Sequence, residues 1–160
     1  MGDYETYQMV QRYFDEAEQE YGVHRDLLNA VAYSESSFNP RARSKQGALG
    51  IMQITPPIAR KYKVTDPLDP RQNIKAGAAY LADLLEEFDG DQAKAIQAYH
   101  MGVTGTYTRP PGPKTRAYVK ETMENYSTPG AVDAKYPAPR KKRSLKEWTQ
   151  MVKENPLEGE

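Results

Sequence analysis

The chain predicts a mainly α fold, and three observations carry that expectation. Apolar side chains recur at steps of three and four over several separate stretches, the spacing of one helix face. No stretch alternates apolar and polar residues with the period of two that a half-buried strand requires. Gly, Pro and Asp punctuate the periodic stretches where helices end or begin. Helices that each carry one apolar stripe must bury it on one another, which gives a packed helical domain.

The first helix follows from Tyr7, Val10, Phe14, Ala17 and Tyr21, after which Gly22 breaks the pattern. The second runs from about Asp26 to Ser36 on Leu27, Leu28 and Val31; Pro40 forces the stretch Ser36-Ser37-Phe38-Asn39 out of helical geometry. Residues 37 to 54 read as irregular, with Gly47 and Gly50 free to take backbone angles that other residues resist. A short helix is expected from about Pro57 to Tyr62, then a loop from Val64 to Pro70 built on the turn dipeptides Asp66-Pro67 and Asp69-Pro70.

A central helix begins near Arg71 and carries Ile74, Ala78, Leu81, Leu85 and Phe88, with small Gly77, Ala78 and Ala79 permitting a close neighbour. Asp89-Gly90-Asp91 supplies a stop and then a cap for the next helix, whose inner face holds Ala95, Ile96 and Tyr99. The Gly- and Pro-bearing stretch from Gly102 to Pro113 is expected to be irregular and to lead into a last core helix, about Lys114 to Tyr126. The folded domain is therefore drawn over 1–126. From 127 to 160 the composition turns to Pro129, Pro137, Pro139 and the run Arg140-Lys141-Lys142-Arg143, which reads as a solvated linker. A short amphipathic segment, Leu145 to Val152 with Trp148, follows it.

Lys plus Arg and Asp plus Glu both number 22, so no overall field selects a nucleic acid or an anionic membrane as partner. The absence of Cys removes disulfides and cysteine-rich metal sites, and His24 and His100 match no metal-ligand spacing, so neither metal nor cofactor is expected. The acidic start Met1-Gly2-Asp3 is not a signal peptide, and its nominal fit to a myristoylation pattern reads as chance. No apolar run approaches membrane-spanning length.

One residue stands out chemically. Glu35 falls four residues after Val31 and seven after Leu28, on the stripe that the apolar side chains define. Burial disfavours the charged form of a carboxyl group and raises its pKa. Proteins use such an environment to keep a carboxylic acid protonated near neutral pH as a general acid. A surface-facing Glu on an ordinary helix is the competing reading. Ser44 lies in the polar loop that follows, and Gly47 to Ile54 combines permissive backbone with the Gln53 amide, a combination that can line a groove. Tyr99, His100 and Tyr118 each offer a flat face and a polar tip suited to a sugar ring, although core aromatics and an ordinary histidine fit the same spacing. Composition and spacing stop at a helical domain with one unusual carboxylate.

The motifs go further. Glu35-Ser36-Ser37-Phe38-Asn39-Pro40, Ala42-Arg43-Ser44 and Gly47-Ala48-Leu49-Gly50-Ile51-Met52-Gln53-Ile54 occur in that order. Asp69-Pro70-Arg71-Gln72-Asn73-Ile74, Ala76-Gly77, Ala98-Tyr99 and the segment Thr115 to Val119 follow. Over about Tyr21 to Tyr126 the chain resembles the goose-lysozyme-like lytic transglycosylases of the soluble-lytic-transglycosylase type. The resemblance implies a lysozyme-like helical domain with an irregular substrate-groove loop. It also implies cleavage of the β-1,4 bond between N-acetylmuramic acid and N-acetylglucosamine in peptidoglycan. By the same resemblance Glu35 matches the catalytic acid, Ser44, Gln53, Tyr99 and Tyr118 match groove residues that position the glycan or the acid, and Gly50 and Met52 line the groove. The implied partner is the peptidoglycan glycan strand, with no nucleic acid required.

The chain departs from the family at four places. It reads Ala98-Tyr99-His100-Met101-Gly102 where the family usually has Ala-Tyr-Asn-Ala-Gly, so His100 must replace or forgo the Asn-borne contacts. Lys114 occupies the place of a Glu, Thr55 that of a common Met, and His24 that of an Asp, which is expected to weaken the N-cap of the second helix. Glycosidases of the retaining and inverting kinds need two carboxylates flanking the bond, and the motif-bearing loops offer Glu35 no obvious partner. The expectation is therefore a single carboxyl group that acts as acid and then as base, closing a 1,6-anhydro ring. A hydrolase of the same fold and a glycan-binding module without catalysis are the alternatives. In organisation the chain is similar to transglycosylase domains of large internal virion proteins that open the cell wall during phage genome ejection; a bacterial periplasmic enzyme is the other origin.

Overall fold

The structure is a computed structural model that describes residues 3–139 and 144–154. The readings made on Met1-Gly2 and on Arg140 to Arg143 lie outside the described residues, as does the side chain of Trp148. Eight α-helices are described: α1 (Asp3–Tyr21), α2 (Arg25–Ser36), α3 (Pro56–Lys61), α4 (Pro70–Glu87), α5 (Gln92–Met101), α6 (Val103–Thr108), α7 (Pro113–Ser127) and α8 (Leu145–Glu154). Among the described residues there is no strand, only two isolated bridges, Arg43 to Leu49 and Leu49 to Ile54.

The stripes meet as their spacing requires. α1 lies on α4 and α2, α2 on α7, and α5 between α4 and α7. Val10 and Phe14 of α1, Leu28 and Val31 of α2, Ile74 and Leu81 of α4 and Ile96 of α5 are fully buried in one core. Each such side chain stabilises the fold by roughly 1.5–3 kcal/mol relative to exposure.

The caps hold the helices in register. Asp69 accepts from the Gln72 amide at 2.9 Å and Asp91 from the Lys94 amide at 3.1 Å, the arrangement expected of Asp at an N-cap. His24 corrects an expectation: its Nδ1 accepts from the Asp26 amide at 3.1 Å, so the imidazole does the capping that Asp was expected to do. Glu18 adds a second acceptor, taking the Arg25 amide at 2.6 Å. At the other end of α2, Ser37 and Phe38 both sit in left-handed backbone, with φ of 51° and 63°. Non-glycine residues there cost roughly 1–3 kcal/mol each and persist only where their surroundings hold them.

The irregular loop is fastened to α4 by Asn73. This buried amide takes the Met52 N–H at 2.7 Å and gives hydrogen bonds to the carbonyls of Leu49 and Pro67, each at 2.8 Å. Gly50, at φ 77°, packs directly on it: a Cβ at Gly50 would lie 2.4 Å from Asn73 Nδ2. The small residues of α4 do what their size suggested, since a Cβ at Gly77 would meet Met52 Sδ at 2.5 Å.

Two stretches are more ordered than the sequence suggested. The segment from Gly102 to Pro113 contains α6, a short helix in which Thr106 and Thr108 return their hydroxyls to the carbonyls of Gly102 and Thr104. The stretch drawn as linker from 127 onward includes a 3₁₀ turn at Asp133–Lys135, and Val132 is buried in the core.

Candidate active site

Glu35 stands on the last turn of α2, where Leu28 and Val31 have already turned the same face into the core. Loss of water pushes its pKa from the ordinary carboxylate value up to about 7. One interaction opposes that rise: the Tyr118 hydroxyl on α7 donates to Oε1 at 2.6 Å. No second carboxylate contributes to the shift among the described residues. A bond between Ser34 on α2 and Thr122 on α7, 2.7 Å long, holds the two helices in this register.

Tyr118 is well suited to remain a donor. Burial, reinforced by the nearby Glu35 carboxyl, holds its phenol well above the ordinary tyrosine value, so it keeps its proton through the pH range in which Glu35 titrates. With Oε1 occupied as an acceptor, the exchangeable proton of Glu35 belongs on Oε2.

Tyr99 comes from the inner face of α5. Its hydroxyl donates to the Met52 carbonyl at 2.6 Å and its ring lies 5.3 Å from that of Tyr80. Its phenol is also raised by burial and then by the Glu35 charge, which places it within electrostatic range of the acid. The next residue, His100, is exposed, with its ring stacked on Tyr118 at 4.5 Å and its Nδ1 3.0 Å from the Thr115 hydroxyl. Packing against Tyr118 removes water from one side and lowers the imidazole pKa, which favours the neutral ring.

The structure therefore gathers Glu35, Tyr99, His100 and Tyr118. The remaining expected residues serve the loop. Ser44 accepts the Ala48 amide at 3.0 Å, and Gln53, at φ 51°, donates to the carbonyls of Gly50 and Ala42 at 3.0 and 3.4 Å. Gly50 and Met52 were expected to line a groove. Both are buried instead: Gly50 faces Asn73 and the Met52 side chain faces Gly77 on α4, because the left-handed turns at Gly50 and Gln53 rotate this segment inward. Of Met52, the carbonyl that anchors Tyr99 is the part tied to the site.

Sequence reasoning missed three contributors: Asn73, Thr115 and Tyr80. A signal existed for Asn73, a polar residue beside Ile74 on the buried face of a helix. Thr115 stood at the head of the motif segment Thr115 to Val119, but its contact with His100, like the place of Tyr80, comes from packing. Asp66 and Asp69, the acids in the neighbouring turn, are used by the backbone: Asp66 accepts from the Leu68 amide and Asp69 caps α4. No group of three or more His, Cys, Asp or Glu side chains suited to a metal ion occurs among the described residues.

Residues 12–110 match the transglycosylase SLT domain. The chain is 40% identical over 109 residues to a transglycosylase of Enterobacteria phage PRD1, covering 68% of this chain and 40% of that protein. It is 42% identical over 124 residues to a peptidoglycan transglycosylase of Escherichia phage T7, covering 73% of this chain but 9% of that protein. Among solved structures it resembles an inactive mutant of the lytic transglycosylase Slt from Pseudomonas aeruginosa. The TM-score is 0.66 at 26% identity, over 80% of this chain and 25% of that one. The 70 kDa soluble lytic transglycosylase of Escherichia coli also matches, with a TM-score of 0.66 at 25% identity over 72% of this chain and 23% of that one. The chain thus spans less than half the length of each of these relatives.

Proposed function

The chain belongs to the transglycosylase SLT domain family, and on that premise we propose that it is a peptidoglycan lytic transglycosylase whose single catalytic carboxyl group is Glu35. It cleaves the β-1,4 bond between N-acetylmuramic acid and N-acetylglucosamine without consuming water. The observation that carries this reading is the state of Glu35: an acid raised to about 7 by burial and held by one Tyr118 hydrogen bond, with no second carboxylate contributing to its shift among the described residues.

In the first step Glu35 delivers its Oε2 proton to the glycosidic oxygen, and the bond from that oxygen to C1 breaks. The substrate's own N-acetyl oxygen supports the positive charge at C1. The resulting Glu35 carboxylate is stabilised by the hydrogen bond from Tyr118, which is stronger to a charged acceptor than to a neutral one. In the second step that carboxylate takes the proton of the C6 hydroxyl, whose oxygen bonds to C1 and closes the 1,6-anhydro ring. Glu35 ends the cycle protonated. A pKa near the working pH suits a group that must give and then take a proton. Tyr99 supports the arrangement by fastening the loop at Met52, and His100, Ser44 and Gln53 are assigned to the glycan-facing surroundings of the acid.

Digestion of purified peptidoglycan followed by mass spectrometry tests the reading. Anhydro-muropeptides are the expected product. Reducing ends would instead identify a hydrolase, and binding to insoluble peptidoglycan without clearing would identify a non-catalytic module.

The working place is the cell wall, and the role assigned is its local opening during phage genome ejection, as part of a larger virion protein. The two phage relatives support this assignment, both being longer than this chain. No described helix is long and apolar enough to cross a membrane.

A further inference from the structure

The segment after α7 returns to the end of the helix that carries Glu35. Val132 enters the core, and the backbone around it is closed by bonds from the Ala131 amide to Thr128, Ala134 to Gly130, Lys135 to Val132 and Tyr136 to Asp133. Asp133 accepts from the Tyr7 hydroxyl of α1 at 2.5 Å. The Tyr136 ring lies flat on that of Tyr7, with centroids 5.0 Å apart and planes within 2°, and 5.2 Å from the buried ring of Phe38. Its hydroxyl donates to the Ser37 carbonyl at 3.0 Å, and Lys135 Nζ lies 5.2 Å over the Tyr33 ring of α2.

These contacts fall where α2 most needs them. Ser37 and Phe38 are the two left-handed residues that end the helix, and Ser37 is two positions from Glu35. The turn is closed by the Ser37 amide on the Tyr33 carbonyl and the Asn39 amide on that of Ser36, at 2.9 and 3.1 Å, yet neither left-handed residue prefers this backbone, so outside contacts add to its hold. Phe38 is fixed by the rings of Tyr7, Phe14, Tyr33 and Tyr136, and Ser37 by the Tyr136 hydroxyl.

We infer that residues 128–136 form a strap that positions Glu35 by clamping the C-terminal end of α2, with Tyr136 as the positioning residue. The inference rests on Glu35 being the acid. It assigns the start of the stretch beyond α7 to the catalytic unit rather than to a linker, although the family match itself ends at residue 110.

The test is Tyr136→Phe in the full chain, assayed on soluble un-cross-linked glycan strands beside wild type and Leu84→Ala, a core variant on α4. Removing one hydroxyl keeps the ring stack and the fold. It is expected to lower kcat on the order of tenfold with KM unchanged, a fraction of the hundredfold that an ångström of misplacement costs. The groups facing Glu35 are Tyr118 from α7 and Tyr99 from α5, neither of which changes charge in this range; the His100 imidazole stacked on Tyr118 is the other titratable group of the site, and its lowered pKa keeps it neutral where the alkaline limb is read. A looser helix end admits water to Glu35, so the alkaline limb of the kcat profile should move to lower pH. Leu84→Ala should lower Tm and leave both kcat and that limb in place at temperatures below its transition. Equal kcat and an unmoved limb in Tyr136→Phe would overturn the strap, as would the same changes in Leu84→Ala. Wild-type digestion without anhydro ends would overturn the functional reading and this inference with it.

Discussion

Where α1 meets α4, Glu16 lies 2.8 Å from Arg71 and Glu20 lies 2.9 Å from Lys75, all four side chains about a third or more exposed. Where α2 meets α7, Glu35 has a tyrosine for a partner and, among the described residues, no cation. The first region lowers the Glu20 pKa through its lysine partner; the second raises that of Glu35 through loss of water. Three glutamates on amphipathic helices thus meet different fates, decided by which face of the helix each occupies. Ion pairs in water hold a charge in place at little gain. A dry carboxyl group surrounded by aromatic rings stores a proton.

The largest expected effect breaks the second region. Glu35→Gln keeps the shape and removes the titration, and activity should fall roughly 10²- to 10⁴-fold, the usual worth of positioned acid–base assistance. Stability should move the other way. Because the folded-state pKa lies above the unfolded one, the folded protein binds more protons between about pH 4.5 and 7, and wild type loses stability as pH rises through that window. The Gln variant should therefore gain in Tm relative to wild type from about pH 4.5 to 7, by an amount corresponding to up to roughly 3 kcal/mol, and hold a constant gain above it. Thermal melts across that range check the sign; a gain independent of pH would mean Glu35 is solvated.

Asn73→Ala comes next, and acts on stability before chemistry. It leaves the Met52 N–H and the Pro67 carbonyl without that partner, while the Leu49 carbonyl keeps the Ile54 amide at 2.9 Å. Buried groups left unpaired cost about 1–3 kcal/mol each, so a denaturant midpoint should show a loss on the order of 3 kcal/mol. Loosening the loop also frees the carbonyl that Tyr99 holds.

Much of this site was legible in the sequence, for physical reasons that also mark where legibility stops. Glu35 could be found because helical periodicity fixes which face a residue takes, and its neighbours Leu28 and Val31 declared that face. Met52 and Gly50 could not be oriented, since the turn between them depends on φ of 77° and 51° at Gly50 and Gln53, and no periodicity governs such a loop. α6 was hidden because three threonines and a glycine are poor helix formers; its threonine hydroxyls and its contact with α5 support it instead. The strap was hidden by its prolines, which read as linker although Val132 and Tyr136 between them are anchored. The His24 cap was missed because histidine is not among the usual capping residues, yet its Nδ1 is an acceptor in reach of the same amide.

Tyr118→Phe sharpens the comparison by removing the partner that opposes the raised pKa of Glu35. A hydrogen bond to a charged group is worth about 1.5–3 kcal/mol, so kcat should fall roughly 10- to 100-fold. The pH profile carries the sign. The Tyr118 bond lowers the Glu35 pKa, and without it the acid stays protonated to higher pH, so the alkaline limb should move upward. This is opposite to the shift expected for Tyr136→Phe, and the pair of profiles separates loss of a hydrogen bond from gain of water at the same carboxyl group.

The smallest effect belongs to the first region. Arg71→Gln and Lys75→Gln each break an exposed ion pair between α1 and α4. Both pairs lie in water, where salt screens them and the ordering of two long side chains offsets the attraction. The helices beneath are already joined by Val10, Phe14, Ile74 and Leu81. Each variant should melt within measurement error of wild type at physiological salt, with kcat and both limbs of the pH profile unchanged. A clear loss of activity in either would mean that the charges of the α1–α4 face reach Glu35 through the core, and that the two regions are not separate.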